Sequence, residues 1–419
     1  FTEAYNSIKD IHYVVPTGRF IRNIHRWSAH LMLVAVLLHM ARVFYTSSYR
    51  KPREWNWVIG IGLLFLTFAL SFTGYLLPWD QLAYWAMTIG ANIAASPREV
   101  TDALGVTQWF DIGGITKDIL LGSKILGEES ILRFYFLHCI FLPVALVTLM
   151  AIHFWRIRKD GGLSRPEDKN ESAAFHKGHP VFHRDPQKTY GLMAVIRGTS
   201  PNVGKGPENT LPSWPNLMYA EIAVFMICTA IALGLGLFFD APLKELANPN
   251  IPENPAKAPW YFLGLQEIVS YSAFFGGVFI PTITMLGLAL IPYLDREERN
   301  TGIWFTNGTG KNVFLISVFF SFVVSVGLLA FTVKYGWLRA WYPDIPQIVI
   351  TLVNPGTLYL FFFIFWSLWI IRKYDSVRIG AIALFTCFLV SFSVLTFFAT
   401  YMRGPNWDFY WWPSLWPIH

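Results

Sequence analysis

Charge is scarce in this chain: of 419 residues only 14% are Asp, Glu, Lys or Arg, against roughly a quarter in an ordinary soluble protein. So few charges cannot clothe a water-facing surface, which excludes a soluble globular enzyme of this length. Cysteine is scarcer still. Cys139, Cys228 and Cys387 stand alone in apolar runs with no CxxC or CxxCH, which rules out a disulfide framework, a zinc knuckle and a thioether-attached c-type haem. No Met precedes Phe1 and no signal peptide leads the chain, so further sequence before Phe1 is expected. Repeats and low-complexity tracts are also lacking. The net charge of +6 does not indicate a nucleic-acid partner, because the cations lie in stretches between apolar runs, the usual pattern in membrane proteins.

What the chain does have is apolar surface: 54% hydrophobic residues, with eighteen Trp and eighteen Tyr suited to aromatic belts at two membrane boundaries. Apolar stretches of about 20 residues, enough to cross a bilayer, fall near 24–45, 56–77, 132–156, 217–239, 276–294, 312–334, 350–371 and 378–401. The expected fold is therefore an all-α polytopic membrane protein, a helical bundle followed by a second membrane helical part. Segment 79–130 is amphipathic, Gly-punctuated and mildly acidic, as short surface helices are. Segment 156–213 is rich in Lys, Arg, His, Pro and Gly and reads as a linker. The expected divisions are 1–160, the linker 161–213, 214–300, and additional helices over 301–419.

Loop cations set the orientation. Arg50, Lys51, Arg53, the basic 156–213 stretch, Arg296, Arg299, Lys311, Arg372, Lys373 and Arg378 fall on one side, which the positive-inside rule makes cytoplasmic. The 79–130 and 240–275 segments then lie on the outer, positive side with the C-terminus.

Five of the ten histidines fall within spans, where ionisable residues are costly and by default functional. His25 and His39 are 14 residues apart in the first span, and His138 and His153 are 15 apart in the third. These intervals are about 21 and 22 Å along a helix axis and return to within about 60° of one face. Two helices so marked can present two facing couples, His25 with His138 and His39 with His153, one near each leaflet. Each couple can ligate a six-coordinate haem iron through neutral imidazoles. A single membrane histidine is usually a packed, hydrogen-bonded residue; two pairs at matched spacing are not. His30 lies about 140° around the helix from His25 and is left outside the ligand set.

Arg22, Arg42 and Arg133 stand at depths where they could pair with haem propionates or snorkel to headgroups. Gly60 and Gly74 in the second span are again 14 apart. They could admit a flat macrocycle close to the backbone, although glycine in membrane helices also serves helix–helix contact. His176, His179 and His183 could hold a metal, but in a solvated Pro/Gly-rich stretch they read more simply as surface.

The strings Ile24-His25-Arg26-Trp27-Ser28-Ala29, Lys51-Pro52-Arg53-Glu54, Thr73-Gly74-Tyr75-Leu76-Leu77-Pro78-Trp79-Asp80-Gln81 and Arg133-Phe134-Tyr135-Phe136-Leu137-His138 resemble cytochrome b of the Rieske/cytochrome b complexes, the chloroplast bf type above all. The resemblance covers about residues 1–300, and from Trp214 onward it is to the second bf polypeptide, here joined to the first. It implies two b haems, a quinol/quinone substrate pair and a Q-cycle in the bacterial cytoplasmic (inner) membrane. The implied partners are a Rieske-type iron–sulfur protein and a c-type cytochrome in a dimeric multi-subunit complex. A di-haem membrane anchor of another quinone-linked respiratory enzyme is the alternative, though it would lack the Pro-Trp-Asp-Gln and Pro-Trp-Tyr loops.

The family's first helix precedes the residue matching Phe1, and in bf members it carries the cysteine of an extra c-type haem. The family's quinol-site Pro-Glu-Trp-Tyr matches Ala258-Pro259-Trp260-Tyr261, so the proton-accepting glutamate is missing, and Glu267 and Asp80 are candidates to replace it. By resemblance the quinol site is formed by Tyr75, Pro78, Trp79 and Asp80 with Pro259, Trp260 and Tyr261. Arg158 and Lys159 match cations near the second quinone site, or are ordinary positive-inside residues.

Overall fold

The computed structural model describes residues 2–160, 215, 217–297 and 300–417. The linker 161–213, with His176, His179 and His183, lies outside the described residues. An amphipathic α1 (Thr2–Tyr13) leads into α2 (Gly18–Tyr45) and α3 (Glu54–Leu76), followed by the short helices α4 (Gln81–Ala95), α5 (Arg98–Ala103) and α6 (Ile112–Leu121). Next come α7 (Glu128–Phe136), a π-helical turn (Leu137–Phe141), α8 (Leu142–Lys159) and α9 (Met218–Phe238). The chain continues through α10 (Trp260–Val269), a second π turn (Phe275–Phe279), α11 (Ile280–Leu294), α12 (Gly308–Tyr335), α13 (Leu338–Trp341), α14 (Gln347–Leu352), α15 (Pro355–Tyr374) and α16 (Val377–Tyr401).

Eight segments among the described residues are long and apolar enough to span a bilayer, beginning at Gly18, Glu54, Glu128, Met218, Phe275, Gly308, Gln347 and Val377. They match the eight expected stretches. α2 starts at Gly18 rather than near 24 because its polar first turns are satisfied by protein. Arg19 binds Asp240, and Arg22 donates to the Ala241 and Pro242 carbonyls at 2.7 and 2.6 Å. The amphipathic 79–130 segment forms short helices as expected. Asp80 caps α4 by accepting from Ala83 N at 2.9 Å, and Asp111 caps α6 through Gly114 N at 2.8 Å.

The helices of the last part pack around α16. On α12, Ser317, Ser321 and Ser325 recur every fourth residue and are each 0% exposed. Such small side chains let membrane helices approach closely, and Ser321 Oγ donates to the Cys387 carbonyl of α16 at 2.8 Å. The last part is not a loose appendage to the first. Phe44, Tyr45 and Trp57 share one buried cluster with Ile382 and Phe385 of α16. Arg378, expected among the surface cations, is instead 1% exposed, with its Nε 2.9 Å from Asp295 Oδ2. Tyr49 Oη donates to that same oxygen at 2.9 Å, so the buried ion pair has the further hydrogen bond that burial demands.

Both π turns precede a proline. The residue four before Pro143 is Cys139 and the one four before Pro281 is Gly277, each inside a π turn. Proline has no N–H to give, and its ring would crowd that carbonyl in a regular helix. A turn holding one extra residue relieves the crowding.

Candidate haem sites and quinol cavity

The first π turn also sets the histidine register. An interval of 14 residues turns a regular helix about 40° short of a full return, and one of 15 overshoots by about 60°. His138 lies in the π turn, which absorbs one residue, so the 15-residue interval behaves like the 14-residue one on α2. The four rings then meet in two couples. The His25 and His138 ring centroids are 6.1 Å apart with planes at 89°. Those of His39 and His153 are 6.4 Å apart at 83°.

These separations test whether a haem fits. Two imidazoles bound to one metal through one nitrogen each, at about 2.0 Å, have centroids about 6.3 Å apart. Direct ring stacking or a hydrogen bond between the rings would bring them closer. Both couples fit a bis-imidazole iron. Next to one couple, Thr73 Oγ1 lies 2.9 Å from the Ala69 carbonyl and 3.1 Å from His138 Nδ1. The hydroxyl hydrogen goes to the carbonyl, so the oxygen accepts from Nδ1–H and Nε2 keeps its lone pair for a metal.

The two glycines of α3 stand beside the third-span rings. A Cβ built on Gly74 would lie 2.5 Å from His138 Cε1, and one on Gly60 would lie 3.7 Å from His153 Cε1. Around His39 and His153 runs a slot lined by Gly60, Arg42, Arg53 and Asn56. Arg42, the candidate propionate cation on this side, lines that slot, and so does Arg53, which the sequence marks only for orientation. Arg22 spends its guanidinium on the 241–242 carbonyls. Arg133 donates to the Ile119 carbonyl. Arg158 is exposed at the end of α8, and Lys159 Nζ sits 4.8 Å over the Trp155 ring.

The two stretches expected to flank a quinol meet in space. Asp80 Oδ2 accepts from Lys244 N at 2.9 Å, Gln81 N donates to Glu245 O at 3.0 Å, and Gln81 Nε2 donates to Ile251 O at 2.6 Å. The Pro78-Trp79-Asp80-Gln81 turn, with Trp79 0% exposed, is stitched to the loop leading into Pro259-Trp260-Tyr261. Tyr75 is half-buried at the end of α3. Burial pushes the Tyr261 phenol up to about 12, so it stays protonated as a hydrogen-bond donor.

Between α2 and the start of α10 lies a cavity of about 450 Å³, lined by Arg26, Trp27, His30, Leu31, Asp240 and Trp260 among others. Trp260 Nε1 donates to His30 Nδ1 at 3.0 Å. The His30 ring is 6.0 Å from that of Tyr261 and 5.5 Å from that of Trp27. Sequence reasoning set His30 aside without a role. Its offset around α2 was the available signal, since it said which face His30 does not serve.

Neither candidate carboxylate lines this cavity. Glu267, 1% exposed, accepts from Arg403 Nε at 3.0 Å and Nη2 at 2.5 Å, and from Trp407 Nε1 at 3.0 Å. Asp80 spends both oxygens on the amides of Ala83 and Lys244. Asp240, which does line the cavity, is held well below the ordinary carboxylate range by the hydrogen bonds of Arg19 and Asn23.

The chain is also similar to known proteins. Residues 30–251 match the profile described as Cytochrome b(N-terminal)/b6/petB. Cytochrome b6 of Synechocystis sp. is 41% identical over 160 residues, which are 38% of this chain and 67% of that one. Cytochrome b6 of Euglena gracilis is 42% identical over 160 residues, 38% of this chain and 69% of that one. A solved structure titled "Hyperthermophilic respiratory Complex III" has the same fold, with a TM-score of 0.59 at 22% identity, over 95% of this chain and 84% of that one.

Proposed function

From the premise that this multi-pass membrane chain belongs to the Cytochrome b(N-terminal)/b6/petB family, we propose that it is the cytochrome b subunit of a quinol–cytochrome c, or similar acceptor, oxidoreductase. His25 with His138 and His39 with His153 would hold two b haems. The observation that carries this reading is the pair of ring separations, 6.1 and 6.4 Å, repeated at two depths of one bundle. When bound, the haems supply a one-electron path between the two membrane faces. The chain's own residues do the rest. Thr73 fixes the His138 tautomer. Leu33, 0% exposed on α2 between its two histidines, helps keep water out of the interval. Arg42 and Arg53 put positive charge at the inner slot, where burying a propionate carboxylate would otherwise be costly.

Quinol is oxidised on the outer side, between the Pro78–Gln81 turn and Trp260-Tyr261. One electron leaves to a Rieske-type iron–sulfur protein on another chain and on to a c-type cytochrome. The other crosses the bilayer to a quinone near Arg158 and Lys159, completing a Q-cycle in the bacterial cytoplasmic membrane. The stitched 78–81 and 244–251 segments favour this reading over a di-haem anchor subunit, which has no need of such a turn.

The test is a reduced-minus-oxidised spectrum with pyridine haemochrome analysis of the purified complex. Two b haems per chain, reducible by a short-chain quinol and blocked by a positive-side inhibitor, are expected. One haem or none would overturn the proposal.

A further inference from the structure

The cavity between α2 and α10 contains a tautomer lock. Indole nitrogen only donates, so the 3.0 Å contact from Trp260 Nε1 to His30 Nδ1 fixes His30 Nδ1 as an acceptor. A neutral imidazole with one accepting nitrogen carries its hydrogen on the other. A ring flip would put Cδ2 where Nδ1 stands and lose this bond, so the indole also fixes the ring orientation, with Nδ1 accepting and Nε2 carrying the hydrogen. Protonating His30 would put a hydrogen on each nitrogen and leave the indole facing a donor. The ring is therefore held neutral and presents one N–H away from Trp260.

That N–H belongs to a residue lining a cavity of about 450 Å³, within the range of about 300–1,000 Å³ usual for small-molecule sites. Indoles (Trp27, Trp260) and aliphatic groups (Leu31, Val34) form much of its wall, and flat, mostly apolar rings suit such walls. The charged and titratable groups around His30 are Arg26 on α2, Asp240 after α9 and Tyr261 on α10. Asp240 is engaged by Arg19 and Asn23, which leaves it ill suited to accept a proton from a ligand. The cavity thus offers hydrogen-bond donors to a ligand oxygen.

We propose that His30 is a quinol-binding residue: a neutral imidazole, locked by Trp260, that donates its free N–H to one oxygen of the quinol or quinone head. The inference rests on the proposed quinol oxidation and adds to it a residue and a role. His30 does not take the part of the missing glutamate. It binds the head group and lets the proton leave by another route, and no bond is made or broken at the imidazole.

The test uses the whole purified complex, with a short-chain benzoquinol as substrate and the haem spectrum as the check on assembly. His30→Gln can accept from Trp260 through its amide oxygen and donate through its amide nitrogen, so KM should stay within about twofold of the unmodified value. His30→Leu removes the donor and should raise KM by about five- to tenfold, the loss of one hydrogen bond, with a smaller change in kcat. Trp260→Phe removes the lock. Log(kcat/KM) should then gain an acidic inflection from His30 protonation that the unmodified complex lacks, and Trp260→Phe with His30→Gln should not show it.

A Leu variant with unchanged KM, a Gln variant as impaired as Leu, or a Trp260→Phe profile without a new inflection would each overturn the assignment. If the Leu variant loses haem, the Gln and Phe variants decide the matter. An unmodified complex that oxidises no quinol overturns the functional reading and this inference together. An active complex with an unresponsive Leu variant overturns this inference alone.

Discussion

Adding one methyl group at Gly74 should cost the outer haem, and the same methyl at Gly60 should not cost the inner one. A Cβ at Gly74 would fall 2.5 Å from His138 Cε1, 3.0 Å from Nε2 and 3.1 Å from Nδ1. Carbon atoms in contact sit about 3.5–4.0 Å apart, so the ring would have to retreat by about 1 Å. A metal–imidazole bond of about 2.0 Å has no such slack. Overpacking of this kind typically costs about 1–3 kcal/mol, and here it acts on the ligand itself. At Gly60 the nearest atom, His153 Cε1, is 3.7 Å away, an ordinary contact. The assay is haem per chain by pyridine haemochrome, with redox titration to tell the two centres apart. Gly74→Ala should retain about one haem per chain and Gly60→Ala about two. If both variants keep two haems with unaltered spectra, or if Gly60→Ala is the one that loses a haem, the placement of His138 against α3 is refuted.

His30→Ala should keep both haems while His25→Ala loses the outer one, read from the same haemochrome ratio; haem loss from the His30 variant would show that α2 is turned the other way. Arg403→Ala should destabilise the protein by about 3–5 kcal/mol by stranding buried Glu267. Thermal unfolding in detergent would check this, and adding Glu267→Ala should recover part of the loss. Asp240 has its folded pKa pulled below the ordinary 3.8 by Arg19 and Asn23, so its ionised form stabilises the fold at neutral pH. The advantage of the unmodified protein over Asp240→Asn should hold from pH 7 down to about 5 and shrink below about pH 4 as the carboxylate is protonated; a gap in melting temperature that widens toward acid would contradict this.

The membrane architecture is legible in the sequence because an apolar run of about 20 residues has few alternatives to spanning a bilayer. The histidine couples are legible because helical geometry converts spacing into depth and face. What the sequence hides is long-range. Nothing near Glu267 announces that Arg403, 136 residues later, takes both its oxygens. Likewise, nothing near His30 points to Trp260, 230 residues away. Arg22 and Arg133 read as propionate cations because depth alone was visible, whereas the carbonyls they meet belong to loops whose course depends on the fold. The π turn at Leu137–Phe141 left one trace, the 15-residue interval beside Pro143, one residue longer than its counterpart on α2.

The Glu267–Arg403 pair also orders events in the making of the protein. α10 leaves the ribosome well before Arg403, which follows α12, α15 and α16 in the chain. Until those helices have inserted and the arginine arrives, Glu267 on α10 lacks the cation it settles against. The packing around α10 is therefore completed late, after most of the spanning helices are already in the bilayer.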